Sequence, residues 1–282
     1  MSTIKLVTDT TTGLPLAEMK ALGIQVLPQI IIFGEDTFRD DTELDTQTFL
    51  DKLRAAPELP KTSAPPPHLF APVYGGLATE GHTIISLHPS DELSGTVKFA
   101  QVARQDLPEA DIRVIDSRSV AAPLGMMVLK ADEWIKEGAD ADTVVSRVQD
   151  MIERQRLYFL VDTLEFLHKG GRIGGAQALV GGLLQIKPIL AIQDGRVEPL
   201  EQQRTKKKAL ARLKELVAQD CPRSKDAHLC VMHADAEQTA AELARDLAVA
   251  MGLDEVPVYE MPPAIVVHAG PGVLGAGFFV ES

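Results

Sequence analysis

The sequence predicts an α/β protein: a Rossmann-like domain built on a parallel sheet, followed by an α+β domain with a mixed sheet. Three observations carry this. Short β-branched runs at 4–7, 84–87 and 112–115 alternate with segments of helical periodicity, the pattern of parallel strands joined by crossover helices. Each run ends in a turn rich in hydroxyls and carboxylates, at 8–12, 90–96 and 116–117. In doubly wound sheets ligands gather beyond the carboxyl ends of the strands, where all three turns fall. After residue 156 the pattern changes. P-I-L-A-I-Q, then Asp194-Gly195, then R-V-E-P-L reads as a hairpin, because Asp-Gly suits a tight primed turn. The expected domains are therefore 1–156 and 157–282.

Taken in order, Pro15 opens L-A-E-M-K-A-L as a helix, since a first turn does not use its missing N–H. Residues 24–33 are a second β-prone region, interrupted by Pro28. The acidic run Asp40-Asp41-Thr42-Glu43-Leu44-Asp45 lacks the glycine of a calcium loop and reads as a solvated turn, with Asp45 capping the next helix. Residues 57–67 (P-E-L-P-K-T-S-A-P-P-P) read as a stiff irregular loop carrying Thr62 and Ser63. Helices follow at 68–77, after Gly95, at 119–137 and at 141–155. Beyond them come a strand at 156–161, a helix at 204–218, a strand at 228–233, a helix at 236–251, and strands near 256–260 and 264–268. The uncharged span 173–186 is too short to cross a bilayer and reads as a buried helix. Its Gly174, Gly175, Gly181 and Gly182 would allow tight packing or leave room for a cavity.

Composition excludes several classes of partner. A net charge of −12 offers no global attraction for nucleic acid or an anionic membrane. Aromatic content of 5% gives no stacking platform for single-stranded nucleic acid. Two cysteines and the lack of a long apolar stretch at the start fit a reducing, cytoplasmic setting without a signal peptide.

The candidate chemistry lies in the turns. A strand handing over to a helix N-terminus presents unpaired N–H groups and a positive dipole end, suited to an anion. Ser90, Ser94, Gly95 and Thr96 occupy such a turn, and Thr62-Ser63 is a second group of hydroxyls able to converge on it. The competing reading of each is a helix cap. Arg172, in K-G-G-R, either reaches the anion or favours the negative end of a short helix, and His268 sits before the stiff turn G-P-G. A second constellation is a serine hydrolase of acyl esters, with Ser94 as nucleophile, His268 as base and Asp9 or Asp116 as orienter, although no G-x-S-x-G elbow is present. There is no phosphate-binding G-x-x-x-x-G-K-[ST]. His228, Cys230 and His233 do not converge as metal ligands on one strand face, so neither metal nor cofactor is expected. Arg204, Lys206, Lys207, Lys208, Arg212 and Lys214 form a basic segment, read as a solvated helix face or a dock for an acidic partner.

Taken together, Thr8-Asp9-Thr10, Thr62-Ser63-Ala64-Pro65, Leu93-Ser94-Gly95-Thr96, Val114-Ile115-Asp116-Ser117, Lys169-Gly170-Gly171-Arg172-Ile173, Lys187-Pro188-Ile189 and His268-Ala269-Gly270-Pro271-Gly272 resemble, in order, the DegV family, the fatty-acid-binding subunits of bacterial fatty acid kinases. The resemblance runs almost end to end. It implies a lipid held between the two domains, with its carboxylate at Thr62 and Ser94 and with Arg172 and His268 near the head group. It also implies a separate ATP-dependent kinase as partner and no catalytic residue in this chain. Ala64, Pro66, Val97 and Ala122-Pro123 depart from the family pattern without touching either hydroxyl.

Overall fold

The computed structural model describes residues 3–180 and 186–281. β1 (Ile4–Asp9) leads through a 3₁₀ turn at Thr10–Thr12 into α1 (Leu16–Ala21). Pro28 splits the next β-prone run between two sheets. β2 (Gln25–Leu27) pairs parallel with β1, whereas β3 (Ile30–Phe33) pairs antiparallel with β4 (Asp36–Arg39) and β5 (Lys61–Ser63). β5 is a correction to the irregular loop expected at 57–67, and β4 falls in a stretch where the sequence suggested no element. Both are short and polar, and the apolar β3 between them supplies the pairing that their own composition does not predict. Between them lies α2 (Thr46–Ala55), capped by Asp45, whose Oδ1 accepts from the Thr48 N–H at 2.8 Å.

α3 (Pro67–Thr79), β6 (Thr83–His88), α4 (Thr96–Gln105), β7 (Ile112–Asp116), α5 (Ala122–Lys136) and α6 (Ala141–Arg154) complete the first half. Its sheet is parallel throughout, in the order β2-β1-β6-β7. Strand alternation explains how both faces are covered. Leu6 and Ile85 pack with Leu124, Met127, Val144 and Val148 of α5 and α6, while Val7 and Ile84 pack with Phe70, Tyr74 and Ala100 of α3 and α4.

The second half comprises β8 (Gln155–Leu160), α7 (Glu165–Lys169), β9 (Lys187–Gln193), β10 (Arg196–Gln203), α8 (Lys206–Asp220), β11 (Cys230–His233), α9 (Glu237–Met251), β12 (Val258–Glu260), α10 (Pro263–Ala269) and β13 (Leu274–Phe279). The sheet order is β10-β9-β8-β13-β11-β12, with β11 and β12 parallel and the other pairs antiparallel. Asp194 and Gly195 both have positive φ, as the primed turn of the β9–β10 hairpin requires. Tyr158 and Leu160 pack under α8 and α9; Leu157 and Phe159 point to the opposite face. No helix among the described residues is long and apolar enough to cross a membrane.

Two expectations for this half are overturned, and one strand falls where the sequence suggested no element. Residues 264–268 form a helix, because Pro263 sits in its first turn and the fixed φ of proline favours a helix start over the β-branched Ile265-Val266-Val267 run. Residues 274–279, where no element was expected, form a central strand despite Gly275 and Gly277. Gly174–Leu179 is a 3₁₀ segment with exposed glycines rather than part of a buried helix, and Gly181 and Gly182 lie outside the described residues. Gly174 is required by its φ of +51° and by the Val197 carbonyl, against which a Cβ would collide.

Gly277 has a similar role on β13: a Cβ there would stand 2.7 Å from Pro123 Cγ and 3.3 Å from Met232 Cε. Gly277→Val should therefore destabilise the protein by about 1–3 kcal/mol through overpacking against α5. Urea unfolding measures this, and an unchanged midpoint would show that α5 yields freely.

Candidate functional site: an apolar cavity with a polar wall

The carboxyl ends of β1, β6 and β7 face the inner side of the six-stranded sheet across a cavity. It contains roughly 880 Å³ of space free of atoms, its open mouth included. Leu157 and Phe159 of β8, Ile192 of β9, Val197 of β10, and Ala264 and Ile265 of α10 make its lining largely apolar. Its polar groups are few: Thr11, Gln29, Thr62, Ser94, Arg172 and His268. Such a concave, mostly dry space with a handful of placed polar groups suits a small amphipathic ligand.

Thr62 lies in the middle of β5, paired with Ile31, so its hydroxyl is fixed by a sheet. Its Oγ1 is 2.8 Å from Nε2 of His268 on α10. The Nδ1 of His268 is buried without a hydrogen-bond partner among the described residues, beside Gly170, whose missing Cβ leaves room for the ring. Burial, with the Arg172 guanidinium as a smaller contribution, pushes the imidazole down to about 4, so it is neutral near pH 7. Arg172 donates from Nε to the Leu93 carbonyl at 3.0 Å and from a terminal nitrogen to the Gly170 carbonyl at 2.8 Å. Burial pushes its guanidinium down from its ordinary value. No carboxylate of the described residues pairs with it, which leaves a half-buried cation beside an apolar cavity.

Ser94 and Gly95 line the cavity at the start of α4, where Gly95 is the capping residue and no side chain caps the helix. Ser94 instead bonds Thr96, Oγ to Oγ1, at 2.8 Å. Thr96 itself is fully buried behind the cavity wall. Ser63 follows Thr62 on β5 and so points away; its Oγ donates to the Ala64 carbonyl and it does not line the cavity. The structure thus brings Thr62, Ser94, Gly95, Arg172 and His268 to one cavity and leaves Ser63 and Thr96 off its wall. Thr62, Arg172 and His268 also line a second, outward recess with Glu58, Lys61, Glu165 and Lys169. These three residues form the partition between the apolar space and that recess.

The hydrolase constellation is not assembled. His268 holds Thr62 rather than Ser94, Asp116 accepts from the Arg118 N–H, and Asp9 faces His88 Nδ1 at 2.7 Å. Asp9, His88 and Ser86 do form a carboxylate–imidazole–hydroxyl chain, but all three are fully buried and no substrate reaches them. Asp40 departs from the solvated turn expected for it. It is buried, accepts from Thr10 Oγ1 and the Gln29 N–H, and burial pushes its carboxyl up to about 7.

Two polar lining residues, Thr11 and Gln29, were not singled out from the sequence. Gln29 carries a usable signal, as the one polar residue in V-L-P-Q-I-I-I. Its Nε2 donates to Asp9 Oδ1 at 3.0 Å and to Thr96 Oγ1 at 3.1 Å.

A neutral, buried imidazole has a pH signature. Unfolded, it takes up a proton near 6.5; folded, only near 4. The unfolded state therefore binds more protons in that window, and stability falls as pH drops through it. His268→Gln should flatten the decline between pH 7 and pH 5 by roughly 2 kcal/mol in urea unfolding. A stability gap between variant and parent that does not change with pH would contradict this.

Comparison with known proteins places this architecture. The family model described as "Uncharacterised protein, DegV family" matches residues 3–281. A DegV domain-containing protein of Halalkalibacterium halodurans is 36% identical over 282 residues, covering 100% of both chains. A structure from Thermus thermophilus, described as fatty acid binding of a DegV family protein, superposes with a TM-score of 0.88 at 34% identity, covering 99% of this chain and 100% of that one. The Bacillus subtilis structure described as DegV, a fatty acid binding protein, gives a TM-score of 0.89 at 33% identity over 100% of both chains. Two sheets enclosing an apolar cavity with hydroxyls on its wall are, in this chain, the architecture of the DegV family, to which the protein belongs.

Proposed function

We propose that this protein binds a long-chain fatty acid in the cytosol and presents its carboxylate to a separate ATP-dependent kinase, which forms the acyl phosphate. The observation that carries the reading is the unpaired Arg172 on the wall of an otherwise apolar cavity. A half-buried cation held only by carbonyls is completed by an anion, and the apolar lining calls for a hydrocarbon tail. Each buried methylene contributes about 0.8 kcal/mol, so a long acyl chain supplies ample gross driving force. Thr62 and Ser94 donate to the carboxylate, Arg172 balances its charge, and His268 orients Thr62. Residues 1–156 would form the domain bearing the head-group hydroxyls and 157–282 the domain covering the acyl chain.

The outward recess supports the presentation step. Because Thr62, Arg172 and His268 stand between cavity and recess, a carboxylate held by them has one oxygen within reach of a partner's active site. The kinase would transfer the terminal phosphoryl of ATP to that oxygen. This chain supplies position rather than a nucleophile, and the Thr62–His268 pairing speaks against ester hydrolysis by Ser94.

Native mass spectrometry of the protein purified from cells should show a bound mass matching a long-chain fatty acid. Thr62→Ala with Ser94→Ala should weaken its binding at least tenfold, because hydrogen bonds to charged groups contribute about 1.5–3 kcal/mol each. Unchanged affinity would sink the head-group assignment. For the partner, Arg204, just before the Thr205 cap of α8, and Lys207, in its first turn, are exposed without carboxylate partners among the described residues. Reversing both charges should impair phosphorylation by the kinase while sparing lipid binding; phosphorylation at the parent rate would show a merely solvated face.

A further inference from the structure

A hydroxyl binds a carboxylate only if its proton points at it, and something must hold it that way. Thr96 Oγ1 is fully buried, and its partners among the described residues are two, Gln29 Nε2 and Ser94 Oγ. Gln29 presents its amide N–H₂, because the same nitrogen faces Asp9 Oδ1, which already accepts from the Thr11 N–H and hydroxyl. With the amide reversed, its oxygen would face the carboxylate at 3.0 Å. Asp9 therefore fixes the direction of Gln29, and Gln29 donates to Thr96. The Thr96 proton then has one acceptor left, Ser94 Oγ. Ser94, having accepted, keeps its own proton for the cavity.

We propose that Gln29 is a positioning residue that, through Thr96, commits the Ser94 hydroxyl to donate into the cavity, so that the site selects an ionised carboxylate over an uncharged head group on the same tail. The proposal rests on the fatty-acid reading above. A carboxylate accepts only, and matches a hydroxyl locked as a donor. A primary alcohol both donates and accepts, so it is indifferent to the direction of the relay. Selectivity between the two thus reports on direction rather than on stability or cavity shape.

The relay can be reversed with little change of shape. In Gln29→Glu an oxygen replaces Nε2. Ionised, it accepts from Thr96; protonated, it donates to Asp9 and still accepts from Thr96. Either way Thr96 turns toward residue 29, Ser94 donates to Thr96, and Ser94 presents lone pairs to the ligand. Thr96→Val removes the relay altogether, and Thr96→Ser restores its hydroxyl.

The experiment offers each protein an equimolar mixture of hexadecanoic acid and 1-hexadecanol in detergent micelles and reads the ratio of bound species by native mass spectrometry. The parent protein should capture mainly the acid. Gln29→Glu should lower the acid-to-alcohol ratio at least tenfold, Thr96→Val should lower it as well, and Thr96→Ser should recover the parent value. A thermal melt of each variant separates misfolding from lost selectivity, and if Gln29→Glu does not fold, the pair Thr96→Val and Thr96→Ser decides. Folded variants that keep the parent ratio overturn the relay while leaving the fatty-acid reading intact. A parent protein that captures neither ligand overturns that reading itself.

Discussion

The carboxylate of Asp9, fully buried at the end of β1, is the interaction on which the polar end of the cavity depends. One oxygen accepts from the backbone and hydroxyl of Thr11 and from Gln29 Nε2, and the other faces His88 Nδ1 at 2.7 Å. A buried carboxylate without partners is costly, so these bonds form together or the fold pays several kcal/mol. By drawing the end of β1, the junction after Pro28 and the end of β6 to one point, Asp9 sets where Thr11, Gln29 and the turn carrying Ser94 stand. His88 passes the constraint on through Ser86 to Tyr74 of α3, which ties the cavity wall to the far layer of the parallel sheet.

The two large sheets contribute opposite chemistry to one space. The parallel sheet offers hydroxyls and backbone N–H groups from turns beyond its strand ends, as its topology dictates. The six-stranded sheet offers a dry face, since Leu157 and Phe159 alternate with Tyr158 and Leu160, which α8 and α9 cover. α10 contributes to both chemistries, with Ala264, Ile265 and Ala269 lining the apolar part and His268 holding Thr62. The Ser90 hydroxyl, bonded to the Gly195 carbonyl at 2.7 Å, joins the head-group turn of one half to the hairpin of the other. A ligand in this cavity would therefore touch elements from both halves at once.

Much of the fold is legible in the sequence where local chemistry and long-range packing agree. The β-branched runs, the Asp45 cap and the Asp194-Gly195 turn each favour one conformation by themselves, and all appear as read. The parallel sheet and its ligand-bearing edge follow from strand-turn-helix order alone. Misreadings cluster where propensity and context oppose each other. β5 is a polar strand that exists because β3 pairs with it, and α10 is a β-branched stretch that starts on a proline; the polar β4 and the glycine-bearing β13, hemmed in by Pro123 and Phe159, carry too little local signal to be read at all.

The sequence alone therefore determined the class of architecture, the strand ends at which polar groups gather, and the residue types available there, because these depend on local patterning. Tertiary structure decided which of them meet. Only the pairing of β5 with β3 turns Thr62 inward and Ser63 away, and only the helical form of residues 263–269 carries His268 to Thr62. Donor direction is more remote still: it passes from Asp9 through Gln29 and Thr96 to Ser94, residues up to 87 positions apart in the chain, brought within hydrogen-bonding distance by the packing of three separate segments.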